Sequence, residues 1–384
     1  MSEKKFIRKN NILQIVPSLN CGGVERGTLD IAKAIIASGN QAFVLSCGGI
    51  LTPKLEEIGA ELVKHDVASK NPITIYNNIS FIEKLIEDRQ INLVHARSRA
   101  SAWSAYFASK RSGTPFVTTF HGIYSLKSSL KKYYNKVMTL GDRVIAVSEF
   151  VKRHIIENYQ IDESIIRTIH RGVDLNYFSP ANITTETQEK FADKYNIDFS
   201  RPLIIMPSRL TSWKGQHVLV DALAQIKNLN FYCILTGDLS KHPEYVNRVR
   251  DRIIEQKLQS RVQIFGPETD IVGLYNMANI VISASIEPEA FGRTVVEGQA
   301  MQKLVIATNI GGCAETITNG ETGFLTNPND PTHLAEMIKH CLGIVETSKE
   351  KKIVQAAREG VSKNFSLDKM QKKTLAVYSE LINL

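Results

Sequence analysis

The sequence lacks the features that mark secreted, membrane-spanning and disulfide-rich proteins. Its five cysteines, at positions 21, 47, 233, 313 and 341, show no CxxC spacing, which argues against a cysteine zinc site and favours a reducing compartment. No apolar run approaches the roughly 18 residues that a membrane-spanning helix needs. The basic amino terminus precedes only one short apolar stretch, Ile12 to Leu19, which we interpret as a first strand rather than a secretory signal. We therefore expect a cytoplasmic protein.

Acidic residues are scarce in one half of the chain only. The net charge is +8; residues 1–180 contain 24 Lys+Arg and 16 Asp+Glu, whereas residues 181–384 contain 23 of each. Nucleic acid, an anionic membrane or a phosphorylated acceptor would each complement this excess, and an incidental surface imbalance would also produce it. Because no recognised RNA- or DNA-binding motif accompanies the basic half, we expect no nucleic-acid partner.

Short apolar runs alternate with helical patterns along most of the 384 residues. This alternation predicts α/β architecture with parallel sheets covered on both faces. The pattern pauses after residues 171–180 and restarts at 202–208, which predicts two doubly wound, Rossmann-like domains joined near residues 178–200. Two such domains face each other across a cleft, and ligands bind at the carboxyl ends of their strands. The strand-to-helix loops are therefore the candidate functional segments.

Two candidate loops lie in the first half. Gly22 and Gly23 follow the first strand, where missing side chains would let a phosphate or a sugar approach the backbone, although a bare glycine pair is more often just a tight turn. His121 follows another strand in TTFHGIY; a lone histidine is usually structural, but a strand's carboxyl end favours a ligand role.

Three candidate loops lie in the second half. Arg209 and Lys214 in PSRLTSWKG suit a diphosphate beside a helix start, unless they are two solvated cations. Glu289 and Glu297 in EPEAFGRTVVEGQA would accept hydroxyl pairs from a ribose or hexose, whereas favourable placement near a helix dipole explains Glu297 alone. The segment 308–325, with a second glycine pair, predicts another ligand-facing turn rather than a core strand.

Taken together, these segments resemble a known family. EAFGRTVVE, SRLTSWKG, HRGVD, TNIGG with Glu315, NGETGFL, the first glycine pair and FHG occur in the order typical of retaining glycosyltransferase family 4. That family has the B-type glycosyltransferase fold. The resemblance implies an amino-terminal acceptor-binding domain over 1–178, completed by the helix at 366–384, and a nucleotide-sugar-binding domain over 179–365.

The resemblance also implies roles for single residues. Glu289 lies against the donor sugar, Glu297 takes the ribose hydroxyls, and Arg209 with Lys214 holds the diphosphate. His121 reaches the donor sugar, and the first glycine pair closes over the phosphates. The implied nucleotide-sugar-binding set is Gly22, Gly23, Phe291, Gly292, Arg293, Thr294 and Glu297.

The same resemblance implies a reaction. We expect transfer of a hexose or N-acetylhexosamine from a UDP- or GDP-sugar, with retention, to a lipid-linked or lipopolysaccharide-type acceptor. The sequence contains no DxD triplet, so we expect no metal and no cofactor, the two cations taking the ion's place. One alternative is a sugar-nucleotide epimerase of the same architecture, which needs neither an acceptor nor a membrane face; the other is a basic nucleic-acid-binding protein, which would use the basic half.

The basic half suggests where the acceptor binds. Arg97 and Arg99 follow a strand and could meet acceptor phosphates or carboxylates, or be merely solvated. Residues 125–140 predict a helix with one apolar stripe, which lysines flank on both sides. Such a helix suits peripheral binding to the inner face of the cell membrane, or packs its stripe on its own sheet. The flanking residues are Lys127, Lys131, Lys132 and Lys136.

Overall fold

The computed structural model describes residues 9–20, 22–69, 71–124, 126, 128–182, 184–198 and 200–384. They form two compact units: the first runs to Arg171 and resumes at Leu367–Leu384, and the second comprises Gly172–Ser366. The sequence pattern alone puts the first boundary at residue 178. Each unit contains a parallel sheet between helices, so the prediction of an α/β protein with two Rossmann-like domains is confirmed.

The first unit is built on seven parallel strands in the spatial order β3-β2-β1-β4-β5-β6-β7. Their burial on both faces explains the nearly continuous apolar runs in the sequence. The strands are β1 (Asn11–Ile15), β2 (Gln41–Ser46), β3 (Glu61–Lys64), β4 (Leu93–Ala96), β5 (Phe116–Phe120), β6 (Arg143–Ala146) and β7 (Ile166–Thr168). The helices are α1 (Gly23–Ala37), α2 (Thr52–Glu57), α3 (Pro72–Asp88), α4 (Arg99–Ser112), α5 (Ser129–Lys136) and α6 (Glu149–Tyr159).

The second unit is built on six parallel strands in the order β10-β9-β8-β11-β12-β13. The strands are β8 (Leu203–Pro207), β9 (Tyr232–Thr236), β10 (Val262–Phe265), β11 (Ile280–Ser283), β12 (Leu304–Thr308) and β13 (Phe324–Thr326). The helices are α7 (Thr185–Tyr195), α8 (Gln216–Gln225), α9 (Pro243–Glu255), α10 (Ile271–Met277), α11 (Arg293–Ala300), α12 (Pro331–Leu342) and α13 (Ser348–Asn364).

The strand order of each sheet reverses once, and the candidate loops lie at these reversals. In the first sheet, β1 and β4 are neighbours; in the second, β8 and β11 are. In open parallel sheets the loops that leave such a pair diverge to opposite faces and open a crevice at the carboxyl ends. The first glycine pair follows β1, Arg97 and Arg99 follow β4, Lys214 follows β8 and Glu289 follows β11.

The last helix, α14 (Leu367–Ser379), completes the first unit rather than the second. Val377 and Tyr378 join the core that contains strand β1. The Tyr378 hydroxyl lies 2.7 Å from Nδ1 of His95, whose Nε2 lies 2.7 Å from the Thr119 hydroxyl. Because all these polar atoms are buried, the bonds fix the helix in one position on the sheet.

Two sequence predictions about local structure are wrong. The single helix over 125–140 is instead the short helix α5 followed by a 3-10 turn at Val137–Thr139, and its stripe is divided: Leu130 is 82% exposed and Val137 is buried. The segment 308–325 was predicted to contain no core strand, yet Phe324 begins β13, which pairs with β12. A three-residue strand is too short to show a period of two.

Candidate active site

Among the described helices, three begin at a glycine and have no side-chain cap. They are α1 after Gly22, α8 after Gly215 and α11 after Gly292. In eight other helices a Ser, Thr, Asn or Asp side chain accepts a hydrogen bond at this position. First-turn N–H groups that lack such a cap can bind an anion, although in α11 the N–H of Val295 already donates to the Gly292 carbonyl at 3.1 Å.

Lys214 and Glu289 form a largely buried ion pair in the second unit. The lysine Nζ lies 2.7 Å from Oε1 of Glu289, and both side chains are almost entirely buried. The same carboxylate accepts from the hydroxyls of Ser285 at 2.5 Å and Ser283 at 3.4 Å. Burial alone would raise the pKa of Glu289, but the charge and hydrogen bond of Lys214, together with the hydrogen bonds of Ser285 and Ser283, lower the pKa below its ordinary value.

Close packing between two loops brings these residues together. Gly215 has φ +78°, and a Cβ there would lie 2.0 Å from the carbonyl oxygen of Ala284. Only glycine therefore lets the loop after β8 approach the end of β11. The backbone N–H of Ile286 donates to the Trp213 carbonyl at 2.8 Å, which ties the two loops.

Arg209 and Lys214 meet at one aromatic ring. The Arg209 guanidinium carbon lies 5.2 Å from the centre of the Trp213 ring, and the Lys214 Nζ lies 4.6 Å from it. Both distances suit cation–π contacts, so the tryptophan orients both cations. Gln216 supports this loop because its amide donates to the Arg209 carbonyl at 3.0 Å and to the Ser208 hydroxyl at 2.9 Å. The sequence indicated the cations but not the role of Gln216.

Glu297 is held by two side chains. The Arg293 guanidinium donates to its Oε1 at 2.8 Å and the Tyr275 hydroxyl donates to its Oε2 at 3.1 Å. Burial, followed by the negative charge of Glu297, raises the pKa of Tyr275 well above its ordinary value, so the phenol remains a donor. Thr294 donates to the Pro207 carbonyl at 3.2 Å, which fixes α11 against the end of β8. Tyr275 lies on α10, and no sequence motif marked it.

The second glycine pair contacts protein backbone. A Cβ on Gly311 would lie 2.5 Å from the Glu289 carbonyl oxygen, and one on Gly312 would lie 2.3 Å from the Ala290 carbonyl oxygen. The absence of side chains therefore lets this glycine pair pack directly against the backbone of the loop that contains Glu289. Phe291 is buried and contacts Phe365 edge to face at 5.8 Å, so its side chain belongs to the core.

In the first unit, His121 is held through one ring nitrogen. Its Nδ1 lies 3.0 Å from an N–H of Arg171, whereas its Nε2 is buried without a protein partner among the described residues. Burial, then the charges of Arg171 and Arg97, lowers the pKa of His121 well below its ordinary value. Gly22 is extended at the start of α1, where a Cβ would lie 2.2 Å from a carboxylate oxygen of Glu25.

The two arginines after β4 differ in exposure. Arg97 is 5% exposed, its guanidinium lies near Gln14, and its Nε has no partner within the described part of the chain. Arg99 is half-buried at the start of α4: its guanidinium lies 4.0 Å from the centre of the Tyr124 ring and donates to the Asn135 side chain at 2.6 Å. Arg99 is thus held by two contacts and is only partly buried, so it is more accessible to a ligand than Arg97.

Part of the predicted lysine-flanked surface can be located. Lys131, Lys132 and Lys136 are exposed on α5, whereas Lys127 lies outside the described residues. The surface is wider than one helix, because Trp103 of α4 stacks on Tyr133 of α5 at 5.5 Å. Five of the nine exposed large apolar side chains in the described regions belong to what we call the α3–α5 apolar surface: Ile73, Tyr76, Phe107, Leu130 and Tyr133.

The described residues contain neither a metal-binding cluster nor a membrane-spanning helix. Within those residues, no three His, Cys, Asp or Glu side chains are grouped so that they could hold a metal ion. None of the described helices has both the length and the hydropathy that crossing a bilayer requires.

Comparison with known proteins identifies two family models and many relatives. Residues 21–177 match the model for Glycosyltransferase Family 4, and residues 187–360 match the model for Glycosyl transferases group 1. A solved glycosyltransferase from Rickettsia africae ESF-5 is 50% identical, with a TM-score of 0.92 over 98% of this chain and 99% of its own.

Two further similar proteins are more distant in sequence. HepE of Anabaena, solved in complex with UDP and glucose, is 26% identical, with a TM-score of 0.84 over 97% of this chain and 100% of its own. The N,N'-diacetylbacillosaminyl-diphospho-undecaprenol alpha-1,3-N-acetylgalactosaminyltransferase of Campylobacter jejuni is 23% identical over 81% of this chain and 84% of its own.

Proposed function

This chain belongs to the glycosyltransferases of family 4 and group 1, and on that premise we propose that it transfers a hexose or N-acetylhexosamine from a nucleotide-sugar to a lipid-linked glycan acceptor. We further propose that the reaction retains the anomeric configuration and needs no metal ion. Arg209 and Lys214 would take the role that a metal ion has elsewhere, because both neutralise phosphate charge.

The buried Lys214–Glu289 pair is the observation that carries this proposal. An ammonium group has three N–H donors, and Glu289 receives one of them. The other two remain for oxygens of a diphosphate leaving group, whose negative charge grows as the glycosidic bond breaks. Because the lysine is already desolvated and oriented by Trp213, it needs no reorganisation during the reaction.

The remaining site residues divide between the nucleotide and the sugar. We assign the ribose hydroxyls to Glu297, because its carboxylate oxygens keep lone pairs after bonding Arg293 and Tyr275. We assign the transferred sugar to Glu289 and His121. The glycine-started helices α1 and α11 would bind phosphate oxygens through their first-turn N–H groups.

Relatives favour a UDP-sugar and a lipid-linked acceptor. HepE was solved with UDP and with UDP-glucose, and the Campylobacter enzyme is named for an undecaprenol diphosphate acceptor. Arg99, which is held by two contacts and joins no ion pair with another described residue, is our candidate for the acceptor's phosphate or carboxylate.

The α3–α5 apolar surface fits a membrane that carries such an acceptor. Helices α4 and α5 contain no acidic residue, and the first eleven residues of α3 carry no charge. Exposed apolar side chains among lysines suit the interface of an anionic bilayer. We therefore propose peripheral binding at the inner face of the cell membrane through this surface.

Flotation with liposomes tests the membrane part. The protein should co-float with anionic vesicles and not with neutral ones, because each lysine contributes about 1 kcal/mol near an anionic surface. Added salt screens this attraction, so binding should weaken as the salt concentration rises. Changing Lys131, Lys132 and Lys136 to Glu should abolish flotation. A matched control changes three exposed lysines of the second unit, Lys339, Lys351 and Lys352, to Glu. Equal loss in both variants would contradict a specific docking surface.

Incubation with labelled nucleotide-sugars tests the activity. UDP- and GDP-sugars are supplied with and without undecaprenol-diphosphate-linked glycans. We expect label in the lipid phase only when donor and acceptor are both present. Conversion of the nucleotide-sugar without an acceptor would instead identify an epimerase.

A further inference from the structure

The contact between Arg171 and His121 determines which ring nitrogen of the histidine carries the proton. An N–H of the Arg171 guanidinium lies 3.0 Å from Nδ1 of His121. Arginine has only donors, so Nδ1 must accept the bond and cannot itself be protonated. In a neutral imidazole the single proton then lies on Nε2.

The charged and titratable neighbours of His121 favour the neutral ring. They are Arg171, which follows β7, Arg97 and His95 from the end of β4, and Tyr124. Among the described residues, no carboxylate is one of these neighbours, so none of them stabilises an imidazolium. Burial and the two guanidinium groups together lower the pKa of His121 well below its ordinary value.

The protonated nitrogen is the one without a protein partner. Nε2 of His121 is buried and bonds no protein atom among the described residues. Leaving a buried donor unpaired costs free energy, so such atoms in native proteins call for an explanation such as a ligand. An oxygen of a bound sugar is a suitable acceptor.

We infer that Arg171 is a positioning residue: it donates to Nδ1 of His121 and so fixes the Nε2–H tautomer, which donates to an oxygen of the transferred sugar. The sugar part of this inference rests on the proposed function, but the tautomer does not. The sequence indicated HRGVD only as a family marker and gave Arg171 no role. The arrangement needs no substrate to form, so the donor is oriented in advance.

Nitrogen-15 NMR of histidine-labelled protein tests the tautomer without any substrate. His121→Gln identifies the resonance among the nine histidines. We expect wild-type His121 to show a protonated Nε2 and an unprotonated Nδ1, with no titration between about pH 8 and pH 5. A proton on Nδ1, or a titration near the ordinary pKa of about 6.5, would overturn the inference.

Three variants link the tautomer to turnover. In Arg171→Met, His121 should populate both tautomers and titrate at a higher pH; kcat should fall about tenfold, the size of one neutral hydrogen bond, and fall further as the pH is lowered. Arg171→Lys keeps one charged donor and should restore most of both signals. Arg111→Met removes an exposed arginine of the same unit and should change neither.

The outcomes separate this inference from the proposed function. An unchanged tautomer in a folded Arg171→Met protein, verified by circular dichroism, would refute the positioning role. If no nucleotide-sugar is turned over but the NMR results hold, the proposed function fails and the tautomer assignment stands.

Discussion

Replacing Lys214 by methionine removes the cation while keeping the length of the side chain. In the wild-type structure the lysine Nζ lies 2.7 Å from Glu289 and 4.6 Å from the centre of the Trp213 ring. If it stabilises the leaving diphosphate, its loss should cost about 3–4 kcal/mol in the transition state, or roughly 10²–10³-fold in kcat. Initial rates of sugar transfer at saturating donor measure this effect.

The same change has a separate effect on stability. Without Lys214, the carboxylate of Glu289 keeps, within the described part of the chain, the hydroxyls of Ser285 and Ser283 as its hydrogen-bond partners. Removing one partner of a buried pair costs on the order of 3–5 kcal/mol, less any relief from protonation of Glu289. The double variant Lys214→Met/Glu289→Gln leaves no unpaired charge, so it should recover most of the free energy of unfolding and none of the activity.

A partly buried lysine, Lys303, provides the matched control. Lys303 directly precedes β12 and therefore lies at the amino ends of the strands, whereas the candidate site lies at their carboxyl ends. Its Nζ donates to the Asn276 carbonyl at 2.8 Å. Burial lowers its pKa to about 8. Lys303→Met should change stability but leave kcat near the wild-type value. Wild-type kcat in Lys214→Met, or recovered activity in the double variant, would refute the role of Lys214 as a leaving-group cation.

Three further predictions concern the carboxylates, metals and pH. Glu297→Ala should weaken binding of the free nucleoside diphosphate about tenfold or more by calorimetry, whereas Glu289→Gln should cripple transfer and leave that affinity nearly unchanged; the reverse result would exchange their roles. Activity should survive excess EDTA, and a loss that Mg²⁺ restores would contradict metal independence. Because the pKa values of His95 and His121 are lowered well below the ordinary 6.5, the unfolded state binds more protons below that pH. The free energy of unfolding of the first unit should therefore fall by about 1.4 kcal/mol per pH unit for each histidine as the pH drops from 6.5 towards 5. Urea titrations followed by Trp103 fluorescence in a Trp213→Phe protein measure this free energy at each pH. A free energy of unfolding that does not change with pH would contradict the prediction.

The fold was predictable because it depends on patterns that sequence displays directly. Buried parallel strands such as β1 and β12 read as continuous apolar runs, and their loops contain the glycines and charges. The division of the helix at 125–140 was not predictable, because an apolar period does not show which side chains find a covering surface. Leu130 and Val137 occupy the same stripe in sequence, yet only Val137 is covered.

Site residues could be predicted from the sequence where charged side chains stand out beside glycines in a loop. They could not be predicted where the role of a residue depends on a partner that is distant in the sequence. Lys214 and Glu289 are conspicuous charges beside glycines, although their mutual pairing follows only from the meeting of two loops that are 75 residues apart. Tyr275 and Gln216 lie within ordinary helical sequence. Their hydrogen bonds to Glu297 and to the Arg209 loop depend on three-dimensional packing alone.

Simultaneous measurement of both reaction products tests the central claim most directly. A reaction with the donor found by the labelling assay and a lipid-linked acceptor is analysed for free nucleoside diphosphate and for sugar on the lipid. Group transfer predicts the two products in equal amounts, with both lost in Lys214→Met. Nucleotide-sugar that changes without release of diphosphate, or diphosphate released with no sugar on the lipid, would contradict the assignment of this chain as a lipid-directed glycosyltransferase.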